Sequence, residues 1–214
     1  MRAQNRENNV MGMNKDMKML KYVAALAGLG AAVSLAQAQN LLNNGSFETG
    51  DLTGWSASGV VGVASYAGAA DGVYSAIFNW GNLTPNGVLS QSFATTPGDV
   101  YALAFDYGTV GSAGVAGQTL FVDVNGTSTL LNTSATSPTG GYPTPFELFS
   151  FNFTANSATT TLQFTDSPNN NTMNNDGVLD NVWVKAEALP DGASTAMLCG
   201  MSLVALGWFR RKLA

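Results

Sequence analysis

"VYALAFDY", Val100 to Tyr107, places Tyr101, Leu103, Phe105 and Tyr107 on one face at a period of two. "ELFSFNFT", Glu147 to Thr154, repeats the pattern, with Phe149, Phe151 and Phe153 set against Ser150, Asn152 and Thr154. That period belongs to a strand with one face in a core and one face out. "ATTTLQFT", Ala158 to Thr165, turns Leu162 and Phe164 inward and its threonines outward. Working outward, Gly59–Tyr66, Tyr74–Phe78, Val88–Phe93, Gln118–Val124 and Val178–Ala186 also read as strands. Pro85-Asn86-Gly87, Pro97-Gly98-Asp99, Asn125-Gly126, Pro143 to Pro145 and Pro168 to Asn171 supply the turns between them. No stretch among them keeps a 3.6-residue apolar period. Gly111–Gly117 and the Asn169–Asn175 run read as loops with no chemistry assigned. The prediction is an all-β body, a two-sheet jelly-roll sandwich.

Both ends of the chain differ from this body. Arg2, Arg6, Lys15, Lys18 and Lys21 form a basic leader ahead of the apolar stretch Tyr22 to Leu35. Ala36-Gln37-Ala38 then places small residues where a signal peptidase reads. This predicts a signal peptide over 1–38, cleavage after Ala38 and export, with Met11, Met13 and Met17 as further candidate starts. At the other end, a turn at Pro190-Asp191-Gly192 leads into the apolar run Ala196 to Phe209, closed by Arg210, Arg211 and Lys212. As a helix the run would be about 21 Å long at roughly 1.5 Å per residue, short of a bilayer core of about 30 Å. It reads as a transient transmembrane stop, with a buried C-terminal helix as the alternative. The expected organisation is therefore 1–38 signal, 39–188 sandwich and 189–214 sorting tail.

Charge separates the body from its flanks. From Gln39 to Asp191, Lys185 as the only base sets +1 against −12, a formal −11, where the whole chain carries −5. Such a surface does not attract nucleic acid or anionic lipid, and membrane contact is expected only through the tail. It suits an exterior location and divalent cations. The single cysteine, Cys199, lies in the tail, so the mature body has no disulfide. The chain has no histidine, which removes Ser-His-Asp and Cys-His nucleophiles and histidine-ligated zinc. A two-carboxylate glycosidase stays formally open, although twelve acids make some close pair common by chance. The expectation is a non-catalytic protein.

The tail's turn, short apolar run and basic cluster resemble the exosortase sorting signals of the PEP-CTERM class. The variant nearest it is named for Val-Pro-Asp-Ser-Gly. Here Leu189 replaces the first Val, and Gly192-Ala193 stands where Ser-Gly is expected. The resemblance implies an exosortase-type membrane protease as partner, beside the signal peptidase, and delivery to the cell surface or extracellular matrix. Within the body, "NLLNNGSFETGDLTGW" (Asn40–Trp55), "TPGDVYALAFDY" (Thr96–Tyr107), "FNFTANSATTTLQFTD" (Phe151–Asp166) and "GVLDNVWV" (Gly177–Val184) resemble the choice-of-anchor C domain. That domain is similar to plant cell-wall proteins and to galactose-binding-like carbohydrate-binding modules, which implies a jelly roll and a surface location.

Polysaccharide is the expected partner, and a structural coat component with no sugar site is the alternative. Sugar faces stack on exposed aromatic rings. Trp80 in "NWGNLTPNG" and Tyr142 in "TGGYPTP" are the loop candidates, and the alternative role for each is a loop anchor. Trp55 is expected in the core, and Trp183 on the sheet face opposite Val182 and Val184. Glu48 in "SFE" and Asp180 in "LDN" are candidate ligands of one structural calcium ion. The resemblance to the carbohydrate-binding modules implies it, because first and last strands of a jelly roll lie close. The other reading is that both carboxylates cap strands or accept turn hydrogen bonds.

Overall fold

The computed structural model describes residues 39–171 and 173–187. The signal segment with Ala36 and Ala38 lies outside these residues. So does the tail with Pro190, Asp191, Gly192, Arg210, Arg211 and Lys212. Ten strands run in order: β1 Ser56–Ser58, β2 Val61–Ala64, β3 Ser75–Phe78, β4 Val88–Ala94 and β5 Val100–Gly111, then β6 Thr119–Asn125, β7 Thr129–Thr136, β8 Phe146–Thr154, β9 Thr159–Asp166 and β10 Asn175–Ala186. They form two five-stranded sheets, β1-β4-β9-β6-β7 and β2-β3-β10-β5-β8. Every paired strand is antiparallel. The all-β sandwich read from the sequence is the architecture found, and the chain crosses repeatedly from one sheet to the other. No helix among the described residues is long and apolar enough to cross a membrane.

The period-two residues build the core between the sheets. Tyr101, Leu103, Phe105 and Tyr107 of β5 are buried there with Leu162 and Phe164 of β9. Phe153 is buried among them, while Phe149 and Phe151 are partly buried against the cluster. Phe105 meets Phe164 edge-on, with ring centroids 5.0 Å apart, and stacks against Phe149 at 5.6 Å. Both geometries suit the ring quadrupoles. Trp55 is in this core as expected, 5.6 Å from Phe47, and its indole N–H donates to Asn44 O at 3.0 Å.

Two strands had no clear signal. β1 is three exposed residues, and β7 reads "TLLNTSAT", with exposed and half-buried residues and one buried Ala135 at a sheet edge. An edge strand buries little, so its apolar period is faint. β5 departs from simple alternation in the other direction, because Ala102 and Ala104 are buried too. A second, smaller cluster of Ala67, Ile77, Val110 and Val178 covers the outer face of the β2-β3-β10-β5-β8 sheet.

The two ends of the body lie side by side, as the motif pair predicts. Leu41 N donates to Val184 O at 2.9 Å, and Val182 N donates to Gly45 O at 2.8 Å. The Asn40 side chain clasps the same stretch, donating to Val182 O and accepting from Val184 N, each at 3.0 Å. Gly45 is required here, since a Cβ on it would collide with the Val182 carbonyl.

Candidate functional site: an aromatic outer face

Cross-strand partners point to the same side of a sheet. Gly62 pairs with Ile77, Ile77 with Val178, and Asp176 with Val110. Ile77, Val178 and Val110 form the outer cluster, so this row marks the outer face of the β10 sheet. The Trp80 ring lies over Gly62, 3.8 Å from where a Cβ would sit, and the residue is 54% exposed. Tyr142 is 68% exposed, next to Gly141, which bridges Val110. The Tyr142–Pro143 peptide is cis.

Tyr66, 53% exposed, joins them. Its phenol is raised above the ordinary range by burial first, then by the negative charge of Asp176 and by Tyr142. Tyr66, Tyr142 and Asp176 therefore share one electrostatic neighbourhood. Of the expected sugar candidates, Trp80 and Tyr142 are thus both exposed and on one face. Tyr66 and Asp176 were missed. Tyr66 closes a predicted strand and carried no mark distinguishing it. Asp176 fell between the Asn169–Asn175 run read as a loop and the predicted strand Val178–Ala186.

The loop between β2 and β3 crosses this face and is tied down by the two expected calcium ligands. Asp180 Oδ2 accepts the Ala70 and Asp71 N–H groups at 2.7 and 2.9 Å, and Oδ1 accepts Asn181 N–H at 2.6 Å. Glu48 Oε1 accepts the Val73 and Tyr74 N–H groups at 2.8 and 2.7 Å. Gly72, at φ 71°, sits on the Glu48 carboxylate where no side chain would fit. The pair does converge on one turn. Three of its four oxygens are taken by N–H donors, whose positive ends face the carboxylates. As arranged, that donor set does not fit a calcium ion, and it matches the other reading, turn acceptors. Asp180 is fully buried, and desolvation holds its carboxyl up to about 6 against the lowering by these three N–H bonds.

Elsewhere, Trp183 lies on the face opposite Val182 and Val184, as expected, with Lys185 Nζ 4.6 Å from its ring centroid. A cation over an aromatic face is a mild attraction. Among the described residues no group of three or more His, Cys, Asp or Glu residues is placed to hold a metal.

The fold and this site define an antiparallel β-sandwich that presents aromatic rings on the outside of one sheet. The chain belongs to the family described as "Protein of unknown function (DUF642)", whose model matches residues 40–185. This is the family shown for the body, where its motifs had suggested the choice-of-anchor C domain. Among solved structures, the enzymatically active domain of bacteriophage CBA120 tailspike protein 4 is similar with a TM-score of 0.51 at 12% identity, over 69% of this chain and 21% of that one. The arabinose-bound MgGH51 α-L-arabinofuranosidase gives 0.50 at 8% identity, over 70% and 27%. TmCBM61 in complex with β-1,4-galactotriose gives 0.49 at 23% identity, over 70% and 100%. These likenesses concern the fold, and function has to be argued from the site. No curated protein matches the chain by sequence.

Proposed function

We propose that this protein is an exported, non-catalytic surface or matrix component that binds polysaccharide on the outer face of the β10 sheet. One observation carries the reading: Trp80, Tyr142 and Tyr66 are exposed on the same face, with the Asp176 carboxylate beside the tyrosines. Rings stack on pyranose faces, and a nearby carboxylate accepts hydroxyl hydrogen bonds. The acidic body favours a neutral glycan over a uronic one, since like charges repel. Export through the signal segment and anchoring through an exosortase-type tail belong to the same proposal and rest on the sequence alone.

A glycan array on the Gln39–Asp191 segment tests the binding. Retention of a neutral polysaccharide, lost in Trp80→Ala with unchanged circular dichroism, is the expected result. No retention across the array would leave a coat component, and released reducing ends would make it a glycosidase. Mass spectrometry of the native surface protein tests the sorting half: peptides beyond Cys199 should be missing.

A further inference from the structure

Seven sealed side-chain atoms among the described residues have no hydrogen-bond partner: Asn79 Oδ1, Tyr107 OH, Gln118 Oε1, Asp166 Oδ2, Asn175 Oδ1 and Nδ2, and Asp176 Oδ1. Unpaired buried polar atoms are costly and few in native folds. Six of them lie on the inward side at one pole of the sandwich, near Asn170 and Asn171, while Asp176 Oδ1 lies on the outer side of β10.

The connectivity shows that these six surround a common space. Asp166 ends the inward series Thr160, Leu162, Phe164 on β9, and its partner on β6 is Leu120. Gln118 is the next inward position past Leu120, so it is the diagonal neighbour of Asp166, at about 7–8 Å. Gln118 Nε2 donates to Asn171 O and Asn175 O at 2.8 and 3.3 Å, and Asn79 Nδ2 donates to the same two carbonyls at 3.0 and 3.2 Å. Those bonds fix which end of each amide is oxygen and leave Asn79 Oδ1 and Gln118 Oε1 free. From Asn175 the next inward position on β10 is Gly177, where a Cβ would collide with the Tyr107 hydroxyl. The charge of Asp166 reaches that hydroxyl, adding to burial in holding its proton, which closes the circuit. Asn170 Nδ2 grips the other Asp166 oxygen at 2.5 Å.

What is missing is positive charge. Four of these six atoms are acceptor oxygens and only two can donate. Asp166 and Asp176 lie close enough for the one to discourage ionisation of the other. The one base among the described residues, Lys185, is near the far end of β10 over Trp183. Sealed carboxylate and amide oxygens without a counter-charge are the ligands a hard cation takes.

We propose that this pole binds one calcium ion through Asp166 Oδ2 and the side-chain oxygens of Gln118, Asn79 and Asn175. Asp176 adds a second negative charge nearby, which matches a divalent ion. Calcium completes its usual six to eight oxygens with water or loop carbonyls. The four ligands are separate from the aromatic face, Asp176 being the one residue near both, and the proposal does not rest on glycan binding.

The test uses the full chain in a mild detergent with terbium(III) as the probe, whose emission reports a tyrosine or tryptophan nearby. Emission should saturate at about one ion per chain and be competed by calcium. Asp166→Asn should weaken binding about tenfold or more, while Asp180→Asn leaves it unchanged. Asn175→Asp adds a carboxylate without changing shape. It should tighten binding and, in thermal melts, lower Tm in EDTA while raising it in calcium. No saturable emission, or emission indifferent to Asp166→Asn, would hand the oxygens to buried water and overturn the proposal. Loss of emission in Asp180→Asn alone would overturn it too, moving the ion to the Glu48 turn. If Asp166→Asn does not fold, Asn175→Asp decides: equal destabilisation in calcium and EDTA refutes the site.

Discussion

Two acidic regions of this sandwich, each built around a buried aspartate, solve the same problem differently. At the β2–β3 turn, Asp180 and Glu48 meet five backbone N–H groups at 2.6 to 2.9 Å. At the pole, Asp166 has one amide donor and one bare oxygen, and the amides beside it are half-satisfied. A carboxylate surrounded by N–H dipoles needs no counter-ion. One surrounded by other oxygens does. The number of acids does not separate the two regions; what converges on them does.

The largest expected effect is at the turn. Asp180→Ala removes the acceptor of three N–H groups at a fully buried position and frees the loop over the aromatic face. Losing buried acceptors costs about 1–3 kcal/mol per stranded group. Asp180→Ala should therefore cost about 3 kcal/mol or more in urea unfolding, by the same amount in calcium and in EDTA. A loss confined to calcium would break the comparison, because the turn would then be the ion site.

Next comes pH. Burial raises Asp166, Asp176 and Asp180 from 3.8 to about 6. An acid whose folded pKa lies above its unfolded value binds its proton better in the fold. Its stabilisation is complete below about 4 and is lost as the pH rises through about 6. In EDTA, stability should fall between pH 4 and 7, by on the order of 2 kcal/mol for Asp166 and for Asp180, and less for the partly exposed Asp176. Calcium at the pole favours the ionised Asp166, so in calcium that share of the fall should vanish while the Asp180 share persists. Urea titrations across this range, with and without calcium, separate the two regions.

Much of this was legible in the sequence and some was not, for physical reasons. Strands that feed the core announce themselves by alternation, so β5, β8 and β9 are plain, whereas the exposed β1 and edge β7 are faint. The side-by-side ends followed from the jelly-roll resemblance that the "SFE" and "LDN" segments help carry, Trp55 is in the core as expected, and Trp183 takes the face its valine neighbours dictate. Asp166 was partly readable. Extending "TLQFTD" by one step puts a carboxylate on the core face, an oddity that period-two counting exposes. The pole as a whole was not. Asn79 follows β3, Gln118 precedes β6 and Asn175 opens β10, and only the register of three strand pairs brings them together. An amide's free oxygen has no sequence signature, because it depends on which carbonyls take its N–H.

The smallest stability effect is expected away from both acidic regions, and it sharpens the contrast by serving as its control. Tyr142 is 68% exposed and leaves little apolar surface to lose, so Tyr142→Ala should change unfolding free energy by less than about 0.5 kcal/mol. Its ring should matter only when a sugar stacks on it. A lost stacking contact of about 1–1.5 kcal/mol corresponds to roughly a tenfold weaker polysaccharide affinity. Affinity electrophoresis of wild type and Tyr142→Ala in gels with and without the retained glycan reads that difference directly. The variant should migrate like wild type without glycan and faster with it. Equal retardation would remove Tyr142 from the binding face and leave Trp80 and Tyr66 to carry it. A fall in Tm as large as that of Asp180→Ala would show instead that Tyr142 braces the loop, as the anchor reading holds.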